Sequence, residues 1–107
     1  MAAKILGQTA PSAASYTTAL YTVPSGKETV TSTLTVSNRA ATADTFRIRL
    51  AQANEAVANK QYVAYDVTIA AYSTITFTLG MTLAATDVVY AGSNAGNCSF
   101  NLFGDER

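Results

Sequence analysis

The chain has 107 residues, with 7 basic and 7 acidic side chains, a formal net charge of zero and only 13% charged residues. That length holds one domain with a single core, and the balanced charge argues against a nucleic-acid binder, whose affinity comes largely from a basic face. With no histidine and one cysteine, the usual zinc ligand sets, the Ser–His and Cys–His dyads and an internal disulfide framework are excluded.

Residues 1–15 read as an extended N-terminal arm, with a short strand at Lys4-Ile5-Leu6. Nothing between Lys4 and Ser15 is charged, whereas disordered tails are usually highly charged, so the arm is expected to lie along a neighbouring surface. Residues 16–107 read as the β-domain. Its first strand covers about Thr18 to Val23, and Pro24-Ser25-Gly26-Lys27 supplies a turn. The next strand carries the clearest pattern of the chain. In Thr29-Val30-Thr31-Ser32-Thr33-Leu34-Thr35-Val36 threonines hold the odd positions, and apolar Val30, Leu34 and Val36 hold even ones. Period-two alternation predicts a strand with one threonine face and one core face.

A loop with Asn38 and Asp44 follows, then a strand at Phe46–Ala51 in which Arg47 and Arg49 share one face. Residues 53–60 are too short for a stable helix and read as a turn or wide loop. Tyr62–Ile69 alternates again, with Val63, Tyr65, Val67 and Ile69 expected together on one face. A second threonine strand covers Thr74–Leu79, a short strand Asp87–Ala91, a small-residue turn Gly92–Gly96, and a closing strand Asn97–Phe103. Seven or eight short strands with turns every eight to twelve residues predict an all-β, antiparallel, jelly-roll-like sandwich. Its core is expected to hold Val30, Leu34, Val36, Phe46, Ile48, Leu50, Ile75, Phe77, Leu79, Phe100 and Leu102, with Cys98 buried among them.

No apolar run approaches 18 residues and no signal-peptide core follows Met1, so neither a membrane span nor secretion is expected. The lone cysteine fits a reducing cytosol. The seven acids lie mostly at turns, no phosphate loop is present, and no acid–base pair emerges; the chain is expected to be no enzyme, with no cofactor and no metal. Tyr16, Tyr21, Tyr62, Tyr65, Tyr72 and Tyr90 allow a sugar-binding surface, though tyrosines are equally at home at subunit interfaces. Arg47 and Arg49 suit bidentate contacts to a partner's acids, or to a carboxylate on the next strand of their own sheet. A free soluble domain carries about 25% charged residues, so so sparse a charge suggests a surface covered by other subunits.

The series Tyr21-Thr22-Val23-Pro24-Ser25-Gly26-Lys27, Ser37-Asn38-Arg39, Thr45-Phe46-Arg47, Tyr62-Val63-Ala64-Tyr65-Asp66 and Phe100-Asn101-Leu102-Phe103-Gly104 resembles the small β-rich virion proteins of tailed bacteriophages. The likeness spans about residues 19–104 and is closest to capsid cement, or decoration, proteins. It implies a structural role in the virion, in capsid or tail; together with the sparse charge and the uncharged arm, the expectation is a cement protein on the capsid surface, assembled in the host cytoplasm, a homotrimer whose partner is the major capsid protein. A tail, baseplate or fibre β-domain is the alternative within that class, and a carbohydrate-binding module the alternative outside it. The candidate interface residues are Ile5, Leu6, Arg39, Arg47 and Arg49.

Overall fold

A computed structural model describes residues 3–107. Among the described residues nine strands form two antiparallel sheets: β1 (Lys4–Thr9), β2 (Ala19–Thr22), β3 (Thr29–Asn38), β4 (Asp44–Ala51), β5 (Tyr62–Ile69), β6 (Thr74–Phe77), β7 (Thr82–Leu83), β8 (Val88–Ser93) and β9 (Cys98–Glu106). One sheet is ordered β1-β9-β3-β6, with β7 paired to the start of β3; the other is ordered β2-β8-β4-β5. With the two-residue β7 set aside, this is the strand order of a jelly roll, a double Greek key folded into two facing sheets. Between the sheets lie Leu34, Val36, Phe46, Phe100 and Leu102, all fully buried, and the Phe46 ring meets those of Phe77 and Phe100 edge-on. Cys98 is a free thiol inside this core, and burial pushes its ionisation up, so it serves as a small apolar side chain.

Two parts of the expected core differ. Val30 lies outside the core cluster, and Thr29 and Thr31 turn inward in its place. The cause is a bulge: Thr31 pairs with Gly104 and Thr33 with Phe103, so Ser32 is one residue too many for the partner strand and reverses the phase of the alternation. The hydroxyls of both threonines are satisfied. Thr31 donates to Leu79 O at 2.6 Å, and Thr29 Oγ1 lies 2.7 Å from the Tyr21 hydroxyl. Leu79 stays half-buried because β6 ends at Phe77 and the chain is already leaving for β7. The remaining expected members are in place, with Leu50, Ile75 and Phe77 packed against the cluster from its rim.

The N-terminal segment also differs from the expected arm. Lys4–Thr9 is an edge strand of the sandwich, paired along its length with β9, so the segment, uncharged after Lys4, finds its hydrogen-bonding edge on its own sheet rather than on a neighbour. Residues 10–15 then cross the β8–β9 turn, where Ala14 N donates to Ser93 O and Asn94 O at 3.0 Å each. Two glycines make that crossing possible. A Cβ on Gly92 would stand 2.0 Å from Ser15 O, and one on Gly96, which has a φ of +74°, would stand 2.4 Å from Ala13 N.

The β4–β5 pairing carries two further extra residues, both on β5. Phe46 pairs with Val67, Ile48 with Ala64 and Arg49 with Tyr62. Asp66 absorbs one of these irregularities with a φ of 51°, a left-handed conformation that aspartate tolerates better than most residues. The single alternating face expected for β5 is therefore broken. Ala64 and Ile69 are buried, whereas Val63 and Tyr65 are about half exposed.

Candidate functional site

The outer faces of the two sheets are chemically unlike. On the β1-β9-β3-β6 sheet, pairing sets Gln8 beside Asn101, Asn101 beside Thr35, and Thr35 beside Thr76. The neighbouring rows are Ile5-Phe103-Thr33 and Ser99-Ser37-Thr74. Residues opposite one another on paired strands share a face. Leu34, Val36, Phe100 and Leu102 hold the inner face, so these ten residues hold the outer one. None of the ten is charged. Bonds between strands run along the rows: Gln8 Nε2 donates to Asn101 Oδ1 at 2.7 Å, and the Ser37 and Thr74 hydroxyls lie 3.1 Å apart. The threonine face expected from the sequence is real over residues 33–37, beyond the bulge.

Over β5-β4-β8 the outer face is built from arginine and tyrosine. Arg47 lies between two rings, 4.3 Å from the centroid of Tyr16 and 4.2 Å from that of Tyr65. Its Nε and Nη2 donate to the two oxygens of Asp66 at 2.6 and 3.2 Å. This bidentate bond holds the Asp66 carboxyl below its usual range and keeps the guanidinium charged. Burial is the main cause of the raised Tyr16 phenol, partly opposed by Arg47. Arg47 thus takes the second of the two roles the sequence allowed, pairing with a carboxylate on the next strand of its own sheet.

Arg49 shares that face under different conditions. It is 7% exposed, its Nη1 donates to Gln61 Oε1 at 2.7 Å, and its guanidinium sits 3.9 Å above the Tyr90 ring. Gln61 is fixed in turn by its Nε2 donating to Ala56 O at 2.8 Å and, at 3.4 Å, to Glu55 Oε1. Among the described residues no carboxylate forms an ion pair with Arg49. The guanidinium lines an open pocket of about 310 Å³, walled by Tyr16, Tyr62 and Tyr90 and rimmed by Asn54, Glu55 and Val57. The loop between β4 and β5 shapes the rim through two residues in the left-handed region, Ala53 and Asn54. The Tyr90 hydroxyl donates to Asn54 Oδ1 at 2.5 Å and fixes that loop to β8.

The five candidate interface residues fall in three places. Ile5 is 56% exposed on the uncharged face, while Leu6 turns inward and packs on the core. Arg39 is exposed beside the β8–β9 turn, donating to Gly96 O at 3.2 Å. Arg47 and Arg49 share the opposite face. Of the six tyrosines, Tyr16, Tyr62, Tyr65 and Tyr90 gather around the two arginines; Tyr21 is buried in the core and Tyr72 is in the turn after β5. Asn54 and Glu55 at the pocket and Gln61, which holds Arg49, carry no sequence signal of their own. Among the described residues no group of three or more His, Cys, Asp or Glu side chains could hold a metal ion, and no helix is long and apolar enough to cross a membrane. Comparison with protein-family models, with curated proteins and with solved structures finds no match to this chain.

Proposed function

We propose that the protein is a structural component of a bacteriophage virion, a cement or decoration subunit that binds the outside of the capsid and stabilises it. The observation that carries this reading is the uncharged patch of ten residues on the outer face of the β1-β9-β3-β6 sheet, bordered at one end by Asp105 opposite Val30. Its ten residues offer hydroxyls, amides, Ile5 and Phe103 across four strands with no charge to desolvate. Such a surface can be covered by another protein at little electrostatic cost. A standard interface takes about 800 Å² from each partner, roughly a seventh of this chain's 5358 Å² of accessible surface. The jelly-roll order adds support by analogy of fold alone, since viral capsid domains use it among many other proteins.

In this reading three copies associate through closed symmetry at the three-fold positions of the shell and contact the major capsid protein. The subunit acts by covering and bridging, with no reaction, cofactor or nucleic acid. Capsids lacking the protein provide the test. The wild type should bind them and sediment as a trimer at micromolar concentration. The double variant Thr35→Lys/Thr76→Lys, which places two charges on exposed or half-exposed positions of the face, should lose binding at least tenfold while keeping its unfolding midpoint. Undiminished binding by that variant would show that this face is not the contact. A monomer that binds no capsid would refute the assignment as a whole.

A further inference from the structure

Arg49 is more than nine-tenths buried and has no counter-charge among the described residues. Burying most of a guanidinium without a charged partner is unfavourable, and the unbonded nitrogens of Arg49 keep only the access to water that the pocket gives. One of its five N–H donors goes to Gln61, and the Tyr90 ring covers one side of its plane; the other four donors have no protein acceptor among the described residues. Arg47, one turn of the pleat away on the same strand, is fully paired by Asp66, so the strand does not lack suitable carboxylates in general. Arg49 alone is left facing a pocket. At about 310 Å³ that pocket falls at the small end of ligand sites, which run from about 300 to 1,000 Å³.

We propose that this pocket binds a carboxylated sugar unit of the uronic or sialic acid kind. The carboxylate would take the unpaired donors of Arg49, and the rings of Tyr16 and Tyr62 would provide the apolar walls for the sugar's C–H faces. The rim decides between this ligand and an acidic side chain of a partner protein. Glu55 stands at the mouth, with Oε1 3.5 Å from Lys60 Nζ and 3.4 Å from Gln61 Nε2. The second Glu55 oxygen is an acceptor. With the ligand's carboxylate on Arg49, it would take a hydrogen bond from a neighbouring sugar hydroxyl, which the aliphatic stem of an Asp or Glu side chain cannot give. The Asn54 amide, whose oxygen accepts from Tyr90, has its NH₂ left to donate. One cationic corner and a hydroxyl-binding rim match a molecule that is an anion at one end and a polyol at the other. The site lies on the sheet opposite the uncharged face and does not depend on the capsid reading, so each can fail without the other.

The test is a titration of the full chain, followed by NMR, with five probes: glucuronic acid, N-acetylneuraminic acid, N-acetylglucosamine, acetate and a short glutamate-rich peptide. The acidic sugars should shift resonances of Arg49, Tyr62 and Tyr90 saturably, with a Kd of about 1 mM or tighter. N-acetylglucosamine and acetate should each bind at least tenfold more weakly. Arg49→Gln should abolish binding. Because Arg49 is buried, Val57→Ser at the exposed rim serves as a companion; it should weaken binding severalfold while leaving the unfolding midpoint in place. Added salt should weaken the acidic sugars and not the neutral one. No saturable shift with either acidic sugar would overturn the proposal. So would equal binding of neutral and acidic sugars, or binding of acetate or the peptide as tight as that of the sugars.

Discussion

Removing the Asp44 carboxylate should release the β8–β9 turn. Asp44 is 4% exposed at the start of β4, and it holds the turn through backbone N–H groups. Oδ1 accepts from Thr45 N at 2.8 Å and Ala95 N at 2.9 Å, and Oδ2 accepts a longer bond from Asn97 N at 3.4 Å. Hydrogen bonds to a charged group contribute about 1.5–3 kcal/mol each. Two good ones give about 3–6 kcal/mol before allowing for water. The donors are only partly buried and regain some hydration, so Asp44→Ala should cost about 2–4 kcal/mol. For a domain of this size that lowers Tm by roughly 10–25 °C. Burial alone would raise the Asp44 carboxyl, but the N–H groups of Ala95, Thr45 and Asn97 outweigh it and hold the group below the usual range. A depressed folded value means the stabilisation is present above the unfolded value of about 3.9 and is lost as pH falls through the folded one. Urea unfolding of wild type and variant should therefore show a constant gap from pH 5 to 7 that narrows below pH 4. A gap under about 0.5 kcal/mol at pH 7, the ordinary scatter of surface substitutions, or a gap that fails to narrow in acid, would refute the reasoning.

Tyr21 should titrate far above a free phenol. Burial first, and then its 2.6 Å hydrogen bond to Glu106 Oε2, push it up to about 12. A raised folded value stabilises below the unfolded value of about 10 and is lost as pH rises toward the folded one. The latest-titrating phenolate in the absorbance curve should be absent in Tyr21→Phe, and the wild type should lose stability between about pH 10 and 12. Gly92→Ala places a methyl against the Ser15 carbonyl and should cost about 1–3 kcal/mol, with limited proteolysis now cutting within residues 10–16.

The layer architecture was legible because composition and period-two alternation act over whole strands. The turn at Pro24-Ser25-Gly26-Lys27 was legible for a local reason: proline and glycine dictate their own backbone angles, and Gly26 indeed has a φ of +76°. Single-residue bulges leave no such mark. Ser32 looks like any serine in a threonine strand, yet it turns Thr29 and Thr31 into the core and Val30 out of it. Asp66 and Val63 do the same to β5. The residue types at the candidate site were visible, since Arg47, Arg49 and the tyrosines stand out in so weakly charged a chain. Their division of labour was not. Which arginine meets a carboxylate depends on the bulge that places Asp66 opposite Arg47. The pocket over Arg49 depends on how a loop with two left-handed non-glycine residues folds back.

The place of β9 sets the order in which this molecule can be made. Residues 98–106 form a central strand with β1 on one side and β3 on the other, joining positions nearly a whole chain apart. Until those residues leave the ribosome, β1 has no partner and β3 presents an unpaired, threonine- and valine-rich edge. Nascent chains must therefore wait with sticky strands exposed until β9 is made, and folding should be slow. Heavy overproduction should favour aggregation over folding, and lower temperature or slower expression should recover soluble protein.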